Sequence, residues 1–142
     1  MKPEKLNLPL RLWREMREQV SAATPREACG LIAGRGDQAE VVYPISNALN
    51  SPVRFRMDPY EQLKAFEAIE ESGLKLVAIY HSHPRGPETP SQTDIEEARY
   101  EAAALIWSPR GNEWQARAFW LDQTSATEIP LDISIIDFLH KS

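Results

Sequence analysis

The spacing of apolar positions divides this chain into short helical and extended segments in alternation. Over residues 8–22, Leu12, Trp13, Met16 and Val20 recur at helical spacing, and Pro9 suits a helical first turn. Thr24-Pro25 ends that segment. The run from Glu27 to Ala33 predicts a strand, with a turn at Gly34-Arg35-Gly36-Asp37 and a hairpin partner over Ala39 to Pro44. A second helix is signalled by Asp58 as N-cap, Pro59 as first helical residue and Glu61 as reciprocal capping partner. Its apolar stripe is Leu63, Phe66 and Ile69, and Gly73 is its stop.

Leu74 to Tyr80 is apolar on both faces apart from Lys75, the pattern of a central strand. A Pro/Gly-rich loop over 84–90 follows, then a helix from Ser91–Thr93 to about Ala103. Leu105 to Ser108 and Glu113 to Leu121 predict a hairpin across Pro109-Arg110-Gly111-Asn112. The tail from Ile129 to His140 is ambiguous between strand and helix. Strands and helices interleave without strict βαβ regularity, so the expected fold class is α/β, a mixed β-sheet flanked by helices. No repeat or long linker marks a boundary, and residues 1–142 are expected to form one domain.

Composition narrows the function classes. An apolar fraction of 42% and a charged fraction of 26% are those of a soluble globular protein. No apolar run approaches the roughly 20 residues that span a bilayer, and no signal-peptide pattern opens the chain. A net charge of −5 argues against nucleic-acid binding, which rests on a basic face. The lone cysteine, Cys29, excludes an internal disulfide and fits a reducing compartment, so the expected location is cytoplasmic.

The chemistry concentrates in His81-Ser82-His83, followed by Ser91 and Asp94. Histidines at i and i+2 share one face of a strand, whereas a helix would point them apart. A strand end presenting two imidazoles, with a carboxylate returning soon after, is a ligand set for a divalent metal. Two histidines and one carboxylate leave the fourth tetrahedral position open, as a catalytic zinc requires. Each residue also has a plain reading. The histidines can satisfy a strand edge or turn, Ser91 and Asp94 form a capping box, and Glu27 can be a solvated carboxylate opening a strand. The readings are compatible: in a helical first turn the macrodipole favours ionised Asp94, the form that a metal needs.

Glu27, His81-Ser82-His83, seven residues from Pro84 to Pro90, then Ser91-Gln92-Thr93-Asp94 together resemble the motif of the JAMM (MPN-plus) zinc metallopeptidase family. Arg26-Glu27-Ala28-Cys29-Gly30-Leu31 and Ser51 to Pro59 are similar to its bacterial and archaeal single-domain members. The resemblance covers nearly the whole chain and implies the JAMM/MPN, cytidine-deaminase-like, architecture. It implies one Zn2+ per chain on His81, His83 and Asp94, with Glu27 as general acid/base and Ser91 as donor to the oxyanion. It also implies a partner, the C-terminal tail of a ubiquitin-like or β-grasp sulfur-carrier protein, extended in a narrow groove. Arg54, Arg56 and Arg85 are candidates for holding an acidic partner or its tail, the plain reading of each being a solvated surface charge.

The bond cut could be an isopeptide, a C-terminal extension or a single C-terminal residue such as cysteine. Some members of the broader family lose ligands and act as metal-free scaffolds, but no ligand is broken here. A nucleobase deaminase expects His-x-Glu with Pro-Cys-x-x-Cys, which is absent, as is a helical His-Glu-x-x-His. Glu88 is expected to be a solvated loop tip, Cys29 a buried structural thiol, and His140 exposed. Trp107, Trp114 and Trp120 are expected in hairpin packing, although a homodimer contact could also bury some tryptophans.

Overall fold

A computed structural model describes residues 2–135. The elements in chain order are β1 (Leu6–Pro9), α1 (Leu10–Ala23), β2 (Cys29–Arg35), β3 (Gln38–Ile45), α2 (Pro59–Glu71), β4 (Lys75–Ser82), α3 (Gln92–Glu96), β5 (Ala103–Arg110), β6 (Glu113–Leu121), β7 (Ala126–Ile129) and β8 (Leu131–Ser134). Among the described residues all strands join one sheet in the order β7-β6-β5-β4-β2-β3-β1-β8. The β4–β5, β1–β3 and β1–β8 pairs are parallel, the others antiparallel. The expected mixed sheet flanked by helices is what forms.

The two faces carry separate cores, because side chains along a strand alternate with a period of two. On one face α1 lays Leu12, Met16 and Val20 against Ile32, Ala78, Tyr80, Leu105 and Trp107. On the other, α2 packs Ala65 and Ile69 against Cys29, Leu31, Ala33 and Leu74. Trp107 is fully buried and meets the Trp13 ring at a 45° tilt, centroids 5.3 Å apart, while Trp114 and Trp120 pack at the edge of that core, as hairpin residues were expected to do. Tyr80 lies over Gly30, where any side chain would collide with its ring, and its hydroxyl bonds Gln19 of α1. That contact fixes how α1 sits across β2 and β4.

Several boundaries differ from the sequence reading. The first helix begins at Leu10, and Pro9 ends the short strand β1, whose register with β8 (Leu6↔Leu131) comes from the far end of the chain. The helix expected to reach Ala103 stops after Glu96, because the chain must extend to pair Ala103 with Ala78. Asp58 caps α2 as expected, accepting the Glu61 N–H at 2.9 Å. Glu61 does not reciprocate: its carboxylate accepts the Ser46 N–H at 2.9 Å instead. Leu63, expected in the buried stripe, is 58% exposed, the buried positions of α2 being Ala65 and Ile69. The ambiguous tail begins as a strand at Leu131–Ser134; residues 136–142, including His140, lie outside the described residues.

Candidate metal centre and its surroundings

β4 delivers the two histidines. Ala78 and Tyr80 point towards α1, so Ile79 and His81 point to the other face, and His83 follows His81 just beyond the strand. The His83 N–H continues the parallel ladder by donating to Trp107 O at 2.7 Å. The chain then turns sharply: Gly86 N–H bonds His83 O at 2.8 Å, and Gly86 adopts φ +71°, a conformation that glycine tolerates without strain. The turn brings Pro87 O to within 2.9 Å of His83 Nδ1. A carbonyl only accepts, so Nδ1 carries a proton, and the inward Nε2, which bonds Asp94 here, is the nitrogen whose lone pair a metal would take in place of a proton.

Asp94 enters from α3. Ser91 caps that helix: its hydroxyl oxygen accepts the Asp94 N–H at 3.0 Å, and its own N–H bonds Asp94 Oδ2 at 2.8 Å. This is the expected capping box, and it aims the carboxylate at the histidines. The three donor atoms converge. His81 Nε2 lies 3.0 Å from His83 Nε2, and Asp94 Oδ2 lies 3.2 and 3.3 Å from the two. Three donors about 2 Å from a shared tetrahedral ion stand about 3.3 Å apart, so the residues fit a cation at their centre. Both histidines are buried. Burial opposes ionisation of Asp94, but the hydrogen bonds to His81 and His83 outweigh it and hold the carboxyl far below the usual range.

Glu27 sits two residues before β2, rather than within the strand as expected, and is only 4% exposed. Its carboxylate lies within 4.8 Å of the His81 and His83 ring nitrogens, so these residues form a cluster able to hold a metal. Burial pushes its carboxyl up to about 7, with His83 countering and Asp94 adding to the rise. Such a group changes protonation near neutral pH, which suits proton transfer.

Sequence reasoning overlooked Ser82, between the two histidines. It is fully buried, its Oγ accepts the Ala28 N–H at 2.8 Å, and its N–H bonds Ala28 O at 3.0 Å. Phe55 was also overlooked; its ring stacks on His81 at 4.4 Å. No periodicity marks either, since both act through pairing between distant segments.

A groove of about 320 Å³ opens beside His81 and Asp94, lined by Phe55, Met57, Ile79, Ala104 and Leu121, with Arg56 and Arg99 among its polar residues. A smaller cleft of about 120 Å³ joins Glu27, His83, Ser91 and Asp94 to Val53 and Arg54. Arg54, Arg56 and Arg85 are exposed, the first two beside the site. Glu88 is exposed at a loop position and touches Arg117 at only 3.6 Å. Cys29 is buried, its thiol pushed up to about 12 by burial and then by Glu27 and Glu61, so it stays protonated and structural. No helix among the described residues is long and apolar enough to cross a membrane.

Comparisons with known proteins give the family. The "Probable TtuB-protein conjugate cleaving protease" of Thermus thermophilus is 42% identical over 119 residues, 83% of this chain and 77% of that protein. A "Desampylase" of Haloferax volcanii is 39% identical over 111 residues, 72% of this chain and 80% of the relative. The solution structure of protein DSY2949 from Desulfitobacterium hafniense superposes with a TM-score of 0.84 at 32% identity, covering 95% of this chain and 97% of the other. A family model described as prokaryotic homologs of the JAB domain matches residues 9–122. The chain belongs to this family of prokaryotic JAB-domain hydrolases.

Proposed function

We propose that the chain is a zinc-dependent peptidase or isopeptidase that cleaves an amide bond at the C-terminal tail of a ubiquitin-like or sulfur-carrier protein. The observation that carries this reading is the convergence of His81 Nε2, His83 Nε2 and Asp94 Oδ2 at 3.0–3.3 Å beside buried Glu27. His81, His83 and Asp94 hold the zinc. Bound there, zinc supplies a Lewis acid that lowers the pKa of water from ~15.7 to about 7.

This chain's residues supply the proton traffic. Glu27, whose carboxyl is drawn up towards neutrality by burial, takes the proton from the attacking water and hands it to the leaving amine as the C–N bond breaks. The Ser91 oxygen accepts Asp94 N–H, which leaves its hydroxyl hydrogen free to be donated to the oxyanion of the tetrahedral intermediate. The Ser91 N–H bond to Asp94 Oδ2 holds that carboxylate oxygen facing the two histidines. The substrate tail lies extended in the groove beside His81, with Arg56 and Arg99 holding its polar groups. The protein works in the cytoplasm, where a thiol such as Cys29 stays reduced. The named relatives, a conjugate-cleaving protease and a desampylase, support this substrate class.

The test is cleavage of an isopeptide conjugate of a ubiquitin-like protein ending in Gly-Gly, followed on gels. Zinc-loaded protein should release the free carrier and a chelator should stop it. Glu27→Gln should retain zinc and lose roughly 10²–10⁴ in rate. Cleavage indifferent to both chelator and Glu27→Gln would remove the proposal.

A further inference from the structure

The segment between β3 and α2 carries Phe55 over His81 and Val53 and Arg54 beside Glu27, yet contains no regular element. It is organised around one side chain, Asn47. The Asn47 amide nitrogen donates to Glu27 O at 3.1 Å and to Arg54 O at 3.0 Å. Its oxygen accepts the Leu49 and Arg56 N–H groups, each at 3.0 Å. A primary amide offers two donors and two lone pairs in one plane, and all of them are used here. The main chain closes the same flap: Ala48 N–H bonds Arg56 O at 2.7 Å, Asp58 N–H bonds Ser46 O at 3.0 Å, and Glu27 N–H bonds Ser51 O at 2.8 Å.

We infer that Asn47 is a positioning residue, clamping the main chain of Glu27 to the flap that roofs the histidines. The inference rests on Glu27 being the general acid/base. Glu27 precedes β2, so the strand ladder does not hold it; its backbone N–H and C=O are held by the flap, at Ser51 and Asn47. Releasing the clamp frees the Glu27 backbone and lets Phe55 leave His81. A displacement of about 1 Å at a reacting group can cost ~10²-fold. Only asparagine among side chains of this size makes the pattern. Aspartate keeps the acceptors for Leu49 and Arg56 but turns an oxygen against the carbonyls of Glu27 and Arg54.

The test compares wild type, Asn47→Ala, Asn47→Asp and Glu27→Gln, all zinc-loaded. One readout is turnover of a ubiquitin-like protein whose C-terminal Gly-Gly carries a fluorogenic amine. The other is residue-resolved amide hydrogen exchange. Both Asn47 variants should lose ~10–10²-fold in kcat with KM within about threefold and zinc content unchanged. Exchange should accelerate at the Glu27 amide, and in Asn47→Ala also at Leu49 and Arg56, while the amides pairing β2 with β3 stay protected. If Asn47→Ala does not fold, the isosteric Asn47→Asp carries the same prediction at Glu27. Wild-type kcat in the Asn47 variants with Glu27→Gln inactive would overturn the clamp alone. Exchange rising throughout β2 and β3 would reduce Asn47 to general structural support and also overturn it. Full activity in Glu27→Gln would instead remove the base assignment, and this role with it.

Discussion

The hydroxyl of Ser82 accepts the backbone N–H of Ala28 at 2.8 Å, and the Ser82 N–H returns to Ala28 O at 3.0 Å. This two-bond link joins the residue between the histidines to the residue after Glu27. It therefore sets the distance between the candidate base and the candidate metal ligands, which arrive from separate segments. The side chains of His81 and His83 project from one face while Ser82, between them, serves the main chain of the neighbouring segment.

Ser82→Ala should leave the Ala28 N–H buried without its side-chain acceptor, costing ~1–3 kcal/mol of stability. It should also lower kcat by tenfold or more, because only the backbone Ser82 N–H to Ala28 O bond then holds Glu27 at its distance from the site. Urea unfolding and steady-state kinetics on the same preparation check both. Wild-type kcat despite the lost stability would show that this link is structural only.

Glu27 predicts an opposition between stability and activity. Burial raises its folded-state pKa from 4.5 to about 7. The stability associated with the neutral carboxyl is complete below the unfolded value and is lost as pH rises through about 7. Metal-free Glu27→Gln should therefore be more stable than wild type at pH 8, by on the order of 1–3 kcal/mol, and nearly equal to it at pH 5. Zinc-loaded wild type should gain activity as pH rises through the ionisation of Glu27, with a midpoint below the metal-free value of about 7, because the base must be ionised to accept a proton and a bound cation favours the carboxylate. Unfolding curves at the two pH values decide the first point; identical differences at both would contradict the burial argument.

Ser91→Ala separates two roles of one hydroxyl. The loss of the oxyanion donor should cost ~10²–10³ in kcat. The loss of the cap should cost about 1 kcal/mol of stability. Zinc affinity should fall less than about tenfold, because the Ser91 N–H that orients Asp94 belongs to the backbone and survives. Kinetics alongside a zinc titration check this; a large loss of affinity with little loss of kcat would reverse the assignment.

What the sequence made legible is what local pattern controls. α1, the β2–β3 hairpin, the Asp58 cap of α2 and the β5–β6 hairpin all follow from periodicity and turn residues close in sequence. The convergence of His81, His83 and Asp94 was readable because a strand end and a capped helix start fix the directions of these side chains. What escaped is set by distant partners. β1 is four residues long and owes its identity to β8, well over a hundred residues away. The alanine-rich stretch after Glu96 has helical propensity, yet pairing of β5 with β4 overrides it. Ser82, Phe55 and Asn47 matter for what they touch across the fold, and no spacing along the chain encodes that.

Whether His81, His83 and Asp94 form a metal centre is read out by zinc content, measured by elemental analysis. Wild type and His83→Ala should be purified side by side without a metal-chelating tag, then analysed before and after incubation with excess zinc. The account predicts about one zinc per chain in wild type and essentially none in His83→Ala. Absence of zinc from both proteins, even after loading, would contradict it and leave a JAB-domain fold whose converging histidines and aspartate serve only to hold α3 against β4.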